Sequence, residues 1–272
     1  MKNVIITGGA SGLGLALAHE YAAQDYQICI ADMQKELGLQ VVEELKARGC
    51  NAFFFELDVR SDEGWAELYK EVTKQWQQVD VLINNAGVAA AGLIEDLPMD
   101  DWAWLMDINV MGVVRGCKTF APLMKHQGFG HIINVASMAG LLHAATMSAY
   151  NVSKSGVIAL SETLRIELAG FNINVSVVCP AFFQTNLTAT MRTNIPGVTN
   201  TVNKWMASSN VTADDVAKMT YDGMVHKRFF ILTHRKEKML WWLKRLSPEA
   251  LQQLMIRTTK KQIQRMMEKM AS

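Results

Sequence analysis

Residues 4–14 read Val-Ile-Ile-Thr-Gly-Gly-Ala-Ser-Gly-Leu-Gly, a short apolar run that leads directly into a glycine-rich turn. The turn lies between a predicted strand and a predicted helix, where backbone amides and the helix N-terminus can bind a pyrophosphate. Glycine is needed there because a side chain would keep the backbone away from the ligand. The spacing is Gly-x3-Gly-x-Gly, unlike the Gly-x-Gly-x-x-Gly of the general dinucleotide fingerprint. The stretch predicts a nucleotide-binding α/β domain, with an ordinary tight turn as the alternative.

Short apolar runs that favour β-structure alternate with longer amphipathic stretches along the chain. This alternation is typical of repeated βαβ units and of a parallel sheet buried on both faces. We expect strands at residues 3–7, 27–31, 52–56, 79–84, 131–136, 172–178 and 229–232. We expect helices at about residues 13–24, 35–48, 62–77, 101–125, 148–169 and 212–226. The predicted fold class is α/β: one domain over residues 1–233 with a doubly wound, Rossmann-like parallel sheet of seven strands and helices on both faces.

Two segments interrupt this alternation. Residues 181–210 are polar, contain Pro196-Gly197 and lack a clear period, so they predict a long loop with partial helix. In a compact domain such a loop is usually functional or disordered. Residues 234–272 are basic and helical in composition, which predicts an amphipathic C-terminal helical extension.

The 272 residues include 27 Lys and Arg against 26 Asp and Glu, and this net charge of +1 excludes the strong global field that nucleic-acid binding favours. The charge is unevenly distributed, because residues 227–272 hold 12 basic against 3 acidic side chains and residues 1–226 hold 15 against 23. The four cysteines have neither zinc nor disulfide spacing. The first apolar run is too short for a signal peptide or a membrane anchor. We therefore expect a cytoplasmic protein with reduced thiols, no metal and no nucleic-acid partner.

An acidic residue ends the second predicted strand, about 20 residues beyond the glycine-rich turn. Asp32 is in the position where a carboxylate accepts hydrogen bonds from an adenosine ribose and repels a 2′-phosphate. Lys35 would partly offset that repulsion, and an alternative role for Asp32 is that of a helix N-cap. The residue favours NAD as the cofactor, with NADP as the alternative.

Tyr150-Asn151-Val152-Ser153-Lys154 places a phenol and an ammonium at i and i+4 on one helix face. An unperturbed tyrosine has a pKa near 10, so proton transfer near neutrality needs a depression of about 2–3 units, or ~3–4 kcal/mol. One cation ~4 Å away provides about 4 kcal/mol at an effective dielectric of ~20. A single lysine is therefore sufficient in principle, although such a pair is also common on ordinary helix surfaces.

Further motifs follow the glycine-rich turn in a fixed order, and through them the chain resembles the short-chain dehydrogenase/reductase family in its single-domain branch. The resemblance runs over about residues 1–232. The matching pieces are Thr7 to Gly14, Asp58-Val59, Asn84-Asn85-Ala86-Gly87, Asn109, Ser137, Tyr150 with Lys154, and Pro180 followed by Thr185.

The resemblance implies a distribution of roles among these residues. Tyr150 would be the general acid/base, and Ser137 would hydrogen-bond the substrate oxygen. Lys154 would bind the nicotinamide ribose and lower the pKa of Tyr150, while Asn109 would hold a water that links Lys154 to solvent. Asp58 and Val59 would contact the adenine. The implied cofactor-binding residues are Gly8, Ser11, Gly12, Leu13, Gly14, Asp32, Asp58, Val59, Asn85, Ala86, Gly87, Tyr150, Lys154, Pro180 and Thr185.

One position departs from the family pattern. The family usually has Pro-Gly after the sixth strand, whereas this chain has Pro180-Ala181. The change puts the geometry of the turn beside the nicotinamide in question, but the downstream Thr185 is kept.

Substrate choice in such enzymes falls to the loop at residues 181–210 and to the segment between Ser137 and Tyr150. These segments predict a mainly apolar pocket and hence a small lipophilic secondary alcohol or ketone as substrate. We interpret His143, in the same segment, as a packing or solvent-facing residue. The apolar candidates are Leu141, Leu142, Met147, Phe182, Phe183 and Met191.

Two rival functions stay open. The first is a 3-oxoacyl-carrier reductase, usually NADP-linked, for which Asp32 is unfavourable. The second is a non-catalytic cofactor-binding scaffold, and the presence of Ser137, Tyr150, Lys154 and Asn109 together argues against it, because an idle site has no physical need for all four.

The basic extension supports three interpretations. Its tryptophans would pack on the domain or on a sister subunit of a homo-dimer or homo-tetramer, which is the assembly we expect. Alternatively, it would lie as a basic amphipathic helix on an anionic membrane, at the inner surface. The third interpretation is contact with an acidic partner such as an acyl carrier.

Overall fold

The computed structural model describes the chain from Met1 to Ala271, with the side chains of residues 1–260 and of Gln264. Ser272, the last residue of the predicted extension, lies outside the described residues, as do the side chains of Lys261, Arg265 and Lys269. Among the described helices, none combines the length and the hydrophobicity that a membrane crossing requires.

A seven-stranded parallel sheet forms the centre of the molecule, with the order β3-β2-β1-β4-β6-β7-β9. The strands along the chain are β1 (Lys2–Thr7), β2 (Tyr26–Asp32), β3 (Ala52–Glu56), β4 (Val81–Asn84), β5 (Ala90–Ala91), β6 (Gly130–Val135), β7 (Ile173–Cys179), β8 (Arg192–Thr193) and β9 (Phe230–Leu232). The two-residue strands β5 and β8 pair with each other outside the main sheet. The order reverses between β1 and β4, so the predicted doubly wound sheet is confirmed.

Helices connect the strands, and all the predicted ones are present with small differences at their ends. They are α1 (Gly12–Ala22), α2 (Lys35–Ala47), α3 (Asp62–Gln75), α4 (Met99–Met106), α5 (Gly112–Gln127), α6 (Ala139–Leu142), α7 (Ser148–Leu168), α8 (Val198–Ala207), α9 (Ala213–Val225), α10 (Arg235–Leu246) and α11 (Pro248–Ala271). The single helix expected over 101–125 is wrong in one respect, because a π-helical turn at Asp107–Met111 separates α4 from α5. Each part keeps its own apolar face, so the apolar period does not reveal the interruption.

Both faces of the sheet are buried. In β1, Ile5 packs into the core under α3, α5 and α7, whereas Val4 and Ile6 pack into the core under α1, α2 and α9. All three side chains are fully buried. Successive residues of a strand point to opposite faces, so this division explains why the strands read as continuous apolar runs.

The two irregular segments have defined structures. Residues 181–210 contain a short 3₁₀ turn (Asn186–Ala189), β8 and α8, and β8 ties the segment to β5 in the loop after β4. The C-terminal extension forms α10 and α11, in agreement with its helical composition. Trp241 of α10 is buried against the core that lies under α7.

Candidate active site

The carboxyl ends of the central strands carry most of the predicted site residues. β1 ends at Thr7, β2 at Asp32 and β4 at Asn84. Ser137 follows β6 closely, and Pro180 follows β7 directly. Because the strands are parallel, these residues lie at the same edge of the sheet, where ligands bind in doubly wound folds.

The glycine-rich turn between β1 and α1 has a backbone that side chains would disrupt. Gly8 and Gly12 have φ angles of 63° and 54°, which glycine adopts without steric cost. A Cβ on Gly14 would overlap the carbonyl oxygen of Gly8. Helix α1 begins at Gly12, directly after Ser11, so its first N–H groups open onto the turn. This cradle fits the pyrophosphate of a dinucleotide.

The turn after β4 supports the glycine-rich turn. The Asn85 amide donates from Nδ2 to the carbonyl oxygens of Thr7 and Gly8, at 2.9 and 3.0 Å. The backbone amides of Asn85 and Ala86 both donate to Thr7 Oγ1, at 2.9 and 3.1 Å. The predicted cofactor-binding residues Asn85 and Ala86 are therefore in direct contact with the end of β1.

Asp32 is buried and its carboxylate holds two backbone segments. Oδ2 accepts from the backbone amide of Ala10 at 2.9 Å, and Oδ1 accepts from that of Gln34 at 3.0 Å. The N-cap alternative is wrong, because Gln34 occupies the N-cap position of α2. Lys35, which we expected to offset the Asp32 charge, instead pairs with Glu56 at 3.6 Å.

Asp58 and Val59 follow β3, beside the end of β2. The amide of Leu57 donates to the carbonyl oxygen of Asp32 at 3.1 Å, which fixes this segment against the predicted ribose site. Hydrogen bonds from Arg60 hold the pKa of the Asp58 carboxyl below its usual range. Val59 is buried. Asp58 and Val59 therefore lie at the same part of the sheet edge as Asp32.

Tyr150 and Lys154 lie one turn apart on α7, with Lys154 Nζ 5.8 Å from the centre of the Tyr150 ring. Both side chains are buried. Lys154 Nζ donates to the carbonyl oxygen of Val135 at 3.0 Å, and Ser137 is within hydrogen-bond reach of the Tyr150 hydroxyl. The three predicted catalytic residues thus meet just beyond the end of β6.

Burial has the largest effect on the pKa values of Tyr150 and Lys154. It raises the pKa of Tyr150 to about 12, against a smaller lowering by the hydrogen bond with Ser137. Burial also lowers the pKa of Lys154 to about 8. Burial is thus the larger influence on the Tyr150 phenol, and a lowering of its pKa by Lys154 stays a prediction.

Asn109 lies fully buried in the π-helical turn. Its Oδ1 accepts from the amide of Val88 at 2.8 Å, while its Nδ2 donates to the Val88 carbonyl at 2.9 Å and to Ser153 Oγ at 3.1 Å. A Cβ on Gly87 would lie 3.1 Å from Asn109 Oδ1 and 3.3 Å from Lys154 Nζ, so the three residues adjoin. Asn109 therefore lies beside Lys154, and its role in holding a water stays a prediction.

A chain of buried polar groups links the sheet to α7, and sequence reasoning assigned no role to its members Asn134 and Ser161. Asn84 Nδ2 donates to Asn134 Oδ1 at 2.9 Å, and Asn134 Nδ2 donates to Ser161 Oγ at 3.0 Å. Ser161 Oγ in turn donates to the Val157 carbonyl at 2.7 Å. These directional bonds fix the position of α7, and so of Tyr150, relative to β4 and β6. Polar residues such as Asn84 and Asn134 within otherwise apolar strands are the sequence signal that would have indicated this network.

The turn after β7 depends on a residue that sequence reasoning missed. Ser137 Oγ donates to the Pro180 carbonyl at 3.3 Å. His234 Nδ1 accepts from the amide of Ala181 at 3.2 Å, and Nε2 lies 3.1 Å from the Phe182 carbonyl. Ala181 does not adopt a positive φ, so alanine fits where the family usually has glycine. A single histidine after the last strand carries no sequence signal for this contact.

Thr185 faces the glycine-rich turn across the edge of the sheet. A Cβ on Gly12 would lie 3.7 Å from the Cβ of Thr185. Thr185 Oγ1 accepts from the backbone amide of Leu187 at 3.2 Å and caps the 3₁₀ turn. The predicted cofactor residues Gly12 and Thr185 are therefore brought together.

The apolar surroundings of Tyr150 differ in part from the expected set. Met147 and Met191 pack in the apolar cluster that includes Tyr150. Leu141 and Leu142 instead pack on the core under α7, and Phe183 packs on the opposite core. Phe182 is partly exposed and lies 5.3 Å, between ring centres, from Trp205 of α8. Sequence reasoning missed the residues that complete the cluster, Val88, Ala89, Ala90, Leu97, Trp102, Trp104, Leu105, Ala139, Ala149 and Leu187.

An ion pair closes this apolar region. Arg192 in β8 donates to Asp101 Oδ1 at 2.8 Å, and its guanidinium lies 3.9 Å from the centre of the Trp104 ring. His143 lies outside it: Nε2 is 3.1 Å from Ser155 Oγ, and Nδ1 is 3.1 Å from Lys244 Nζ. Burial and Lys244 lower the pKa of His143. Its position agrees with the packing interpretation.

A metal site and a reactive thiol both have little support in the described part of the chain. It contains no group of three or more His, Cys, Asp or Glu side chains placed to hold a metal ion. Cys29, Cys50, Cys117 and Cys179 are free thiols. Burial raises the pKa of Cys179, which lies near Lys154, to about 12.

The chain is similar to many known oxidoreductases. It is 29% identical over 257 residues to "Probable oxidoreductase EphD" of Mycobacterium tuberculosis, a match that covers 91% of this chain and 43% of that protein. It is 33% identical over 187 residues to a cyclopentanol dehydrogenase of Comamonas testosteroni, covering 69% of this chain and 75% of that protein. A 3-oxoacyl-[acyl-carrier-protein] reductase of Staphylococcus epidermidis is 33% identical over 188 residues, with coverage of 69% and 77%.

Solved structures and a family model agree with these relatives. A short-chain dehydrogenase/reductase from Burkholderia phymatum in complex with NAD superposes with a TM-score of 0.87 and 32% identity, over 92% of this chain and 94% of that one. The family model described as short chain dehydrogenase matches residues 2–196. The chain therefore belongs to the short-chain dehydrogenase/reductase family of nicotinamide-dependent oxidoreductases.

Proposed function

We propose that this protein transfers a hydride between NAD and a small lipophilic secondary alcohol or ketone, with Tyr150 as the general acid/base. The observation that carries the proposal is the meeting of Ser137, Tyr150 and Lys154 beyond the end of β6. The glycine-rich turn, into which a Cβ at Gly14 would not fit, lies along the same edge of the sheet. The residues proposed for proton transfer and those proposed for cofactor binding thus lie at neighbouring strand ends.

In the proposed reaction, Tyr150 transfers the proton and the cofactor transfers the hydride. A bound nicotinamide supplies or accepts the hydride at the substrate carbon. The Tyr150 phenol, with a pKa raised by burial, keeps its proton at neutral pH and donates it to the carbonyl oxygen in reduction. In oxidation it accepts the alcohol proton only after losing its own, and the hydrogen bond from Ser137 favours that loss.

Ser137 and Lys154 orient the reacting groups. The Ser137 hydroxyl is positioned by the Pro180 carbonyl and by the amide of Ala139, which it contacts at 3.3 and 3.1 Å. From there it would hydrogen-bond the substrate oxygen. Lys154 is held by the Val135 carbonyl, from which it would reach the nicotinamide ribose. Asn109, which adjoins Lys154, would hold a water that links Lys154 to solvent.

The preference for NAD rests on two carboxylates. Asp32 and Glu56 are partners in the register of β2 and β3, so both end beside the predicted ribose site. Lys35, the nearby cation, is engaged by Glu56. A 2′-phosphate would therefore meet a net negative environment.

The apolar cluster around Tyr150 supports a lipophilic substrate. Met147, Met191 and Leu187 pack against it, and the pair between Arg192 and Asp101 closes its outer side. A pocket of this kind gains most from burying hydrocarbon and offers few polar partners besides Ser137 and Tyr150.

The direct test is to follow the absorbance of reduced cofactor with a panel of cyclic and linear secondary alcohols and the matching ketones. We expect turnover by the wild type and a loss of at least about 10³-fold in the Tyr150→Phe variant, because the proton donor is removed. Tyr69→Phe, which changes a half-buried tyrosine on α3, is the matched control and should retain activity. Undiminished turnover by Tyr150→Phe would overturn the mechanism.

A second candidate is reduction of a carrier-bound 3-oxoacyl chain, which the likeness to the Staphylococcus reductase favours. Carrier-linked and free 3-oxoacyl substrates are assayed alongside the alcohols, with each cofactor. A kcat/KM higher for carrier-linked substrate with NADPH than for any free alcohol with NAD would replace our proposal with this one.

A further inference from the structure

The outward face of α10 is apolar, although it points away from the domain. Met239, Trp242, Leu243 and Leu246 follow the i, i+3, i+4, i+7 spacing of a single helix face. Their side chains are 71%, 51%, 40% and 81% exposed. A surface helix normally turns this face to the core, so its exposure requires a physical reason.

The opposite face of α10 already holds the helix on the domain. Trp241 is buried, and its ring lies 5.3 Å from that of Phe230. Lys244 Nζ donates to the Leu141 carbonyl. Trp241 and Lys244 thus attach α10 to its own domain, while the outward apolar face stays largely exposed.

Cations flank the apolar face. Lys236, Lys238 and Arg245 of α10 are exposed, and Arg257 and Lys260 continue the basic surface along α11. Leu254 and Ile256 of α11 are each 50% exposed. An apolar stripe of Trp, Leu and Met bordered by Lys and Arg is the pattern of a helix that lies in the headgroup region of an anionic membrane.

A cleft of about 560 Å³ opens beside this face, between α9, β9 and α10. Its lining combines the aromatic rings of Phe230, Trp241 and Trp242 with the cations Arg228 and Lys238. Asp222 is also part of the lining and would weaken the attraction for an anion. The cleft adds space for a headgroup next to the apolar stripe.

The charge of this surface favours an anionic membrane over a second copy of this chain as its binding partner. Residues 227–272 carry 12 basic against 3 acidic side chains, a net charge of +9. Two such surfaces brought face to face would repel each other, whereas an anionic bilayer attracts them with about 1 kcal/mol per cation near its surface. The wide apolar stripe also exceeds what an acidic carrier protein needs for recognition by charge.

We propose that the outward face of α10, together with the exposed part of α11, docks the protein peripherally on an anionic lipid bilayer. Met239, Trp242, Leu243 and Leu246 enter the headgroup and acyl boundary, and the flanking cations contact the lipid phosphates. His234, which precedes α10, contacts both Ala181 and Phe182, so docking sets the substrate loop close to the bilayer. The docking does not depend on the proposed reaction.

The test is flotation of the full-length protein with vesicles of phosphatidylcholine alone and with about 30% phosphatidylglycerol. We expect flotation with the anionic vesicles, and a loss of it when salt is raised from about 0.1 M to about 1 M, because the Debye length shrinks from ~10 to ~3 Å. A Trp242→Glu/Leu246→Glu variant should bind at least about tenfold more weakly, since both exposed side chains would carry charge into the acyl boundary. The absence of wild-type flotation would overturn the proposal.

Leu37→Glu/Leu39→Glu is the matched control, because these leucines are 41% and 47% exposed on α2, at the opposite edge of the sheet. It should float like the wild type. Circular dichroism establishes that each variant is folded, and light scattering gives its oligomeric state. Equal flotation of the wild type and of both variants would contradict a site on α10. A change of oligomeric state in the α10 variant without a change in flotation would assign the face to contact between copies.

Discussion

At the scale of single residues, Tyr150 illustrates how burial competes with a neighbouring charge. Its phenol is removed from water, and the desolvation cost raises its pKa to about 12 although Lys154 lies one helical turn away. Desolvation grows with burial, and the hydrogen bond with Ser137 offsets only part of it. The protonated phenol therefore favours proton donation at neutral pH.

We predict a direction for the pH dependence of alcohol oxidation. Its kcat/KM should keep rising to about pH 9 and beyond without a plateau, because oxidation needs the deprotonated Tyr150 and burial raises the pKa of that phenol to about 12. In Ser137→Ala, the residual rate should require a still higher pH, since the hydrogen bond that lowers the pKa of Tyr150 is removed. Stopped-flow profiles of both proteins check this, and a profile displaced to lower pH in Ser137→Ala would contradict it.

A second residue-scale prediction concerns stability in acid. Burial lowers the pKa of His131 to about 4, so the folded state keeps it neutral while the unfolded state binds a proton below its ordinary value near 6.5. The unfolded state thus gains protons as the pH falls from about 6.5 to about 4, and the stability decreases by roughly 3 kcal/mol.

Urea unfolding at pH 7 and pH 4.5 measures this loss. In His131→Gln, which replaces the ring that contacts Ser176, the free energy of unfolding should be lower at pH 7 but less dependent on pH. An identical pH dependence in both proteins would rule out His131 as the cause.

At the scale of elements, the strands and most helices follow from the sequence, because each has its own apolar period. The π-helical turn at Asp107–Met111 does not, since one inserted residue leaves the apolar faces of α4 and α5 intact. The positions of Tyr150 and Lys154 on one helix face also follow from the sequence, while their catalytic roles stay predictions. His234 was not, because its contact with Ala181 joins segments 53 residues apart.

The segment that closes the apolar region gives an element-scale prediction. Arg192 joins β8 to α4 through Asp101 and Trp104. Arg192→Ala should release this contact, worth about 1–2 kcal/mol, and raise the KM for the alcohol about tenfold with little change in the Kd of NAD. Steady-state kinetics and cofactor titration separate the two constants.

Lys46→Ala, which breaks an exposed ion pair with Glu43 on α2, serves as the comparison. It should leave both constants unchanged. An equal rise of the cofactor Kd and the substrate KM in Arg192→Ala would show that β8 acts on the cofactor site instead.

At the scale of the whole molecule, cofactor binding should stabilise the entire fold, because the cradle joins α1, β1, β4 and the segment after β7. A ligand at 100 times its Kd adds about 2.7 kcal/mol to the free energy of unfolding. We predict that NAD at a given concentration raises the Tm more than NADP does, because of Asp32 and Glu56. Differential scanning fluorimetry provides the measurement.

The Glu56→Gln variant tests the electrostatic part of this prediction without touching the contact between Asp32 and Ala10. The difference between the Tm shifts for NAD and NADP should narrow. A wild type that is stabilised more by NADP would refute the assignment of NAD.

The helical extension gives the molecule a large electric dipole. Residues 1–226 carry a net charge of −8 and residues 227–272 a net charge of +9, so a nearly neutral protein presents two oppositely charged poles. An ion-exchange resin interacts with the charged region closest to it and not with the net charge of the protein, because salt screens the electric field within about 10 Å. The protein should therefore be retained near neutral pH by both cation and anion exchangers, a behaviour that its isoelectric point alone would not suggest.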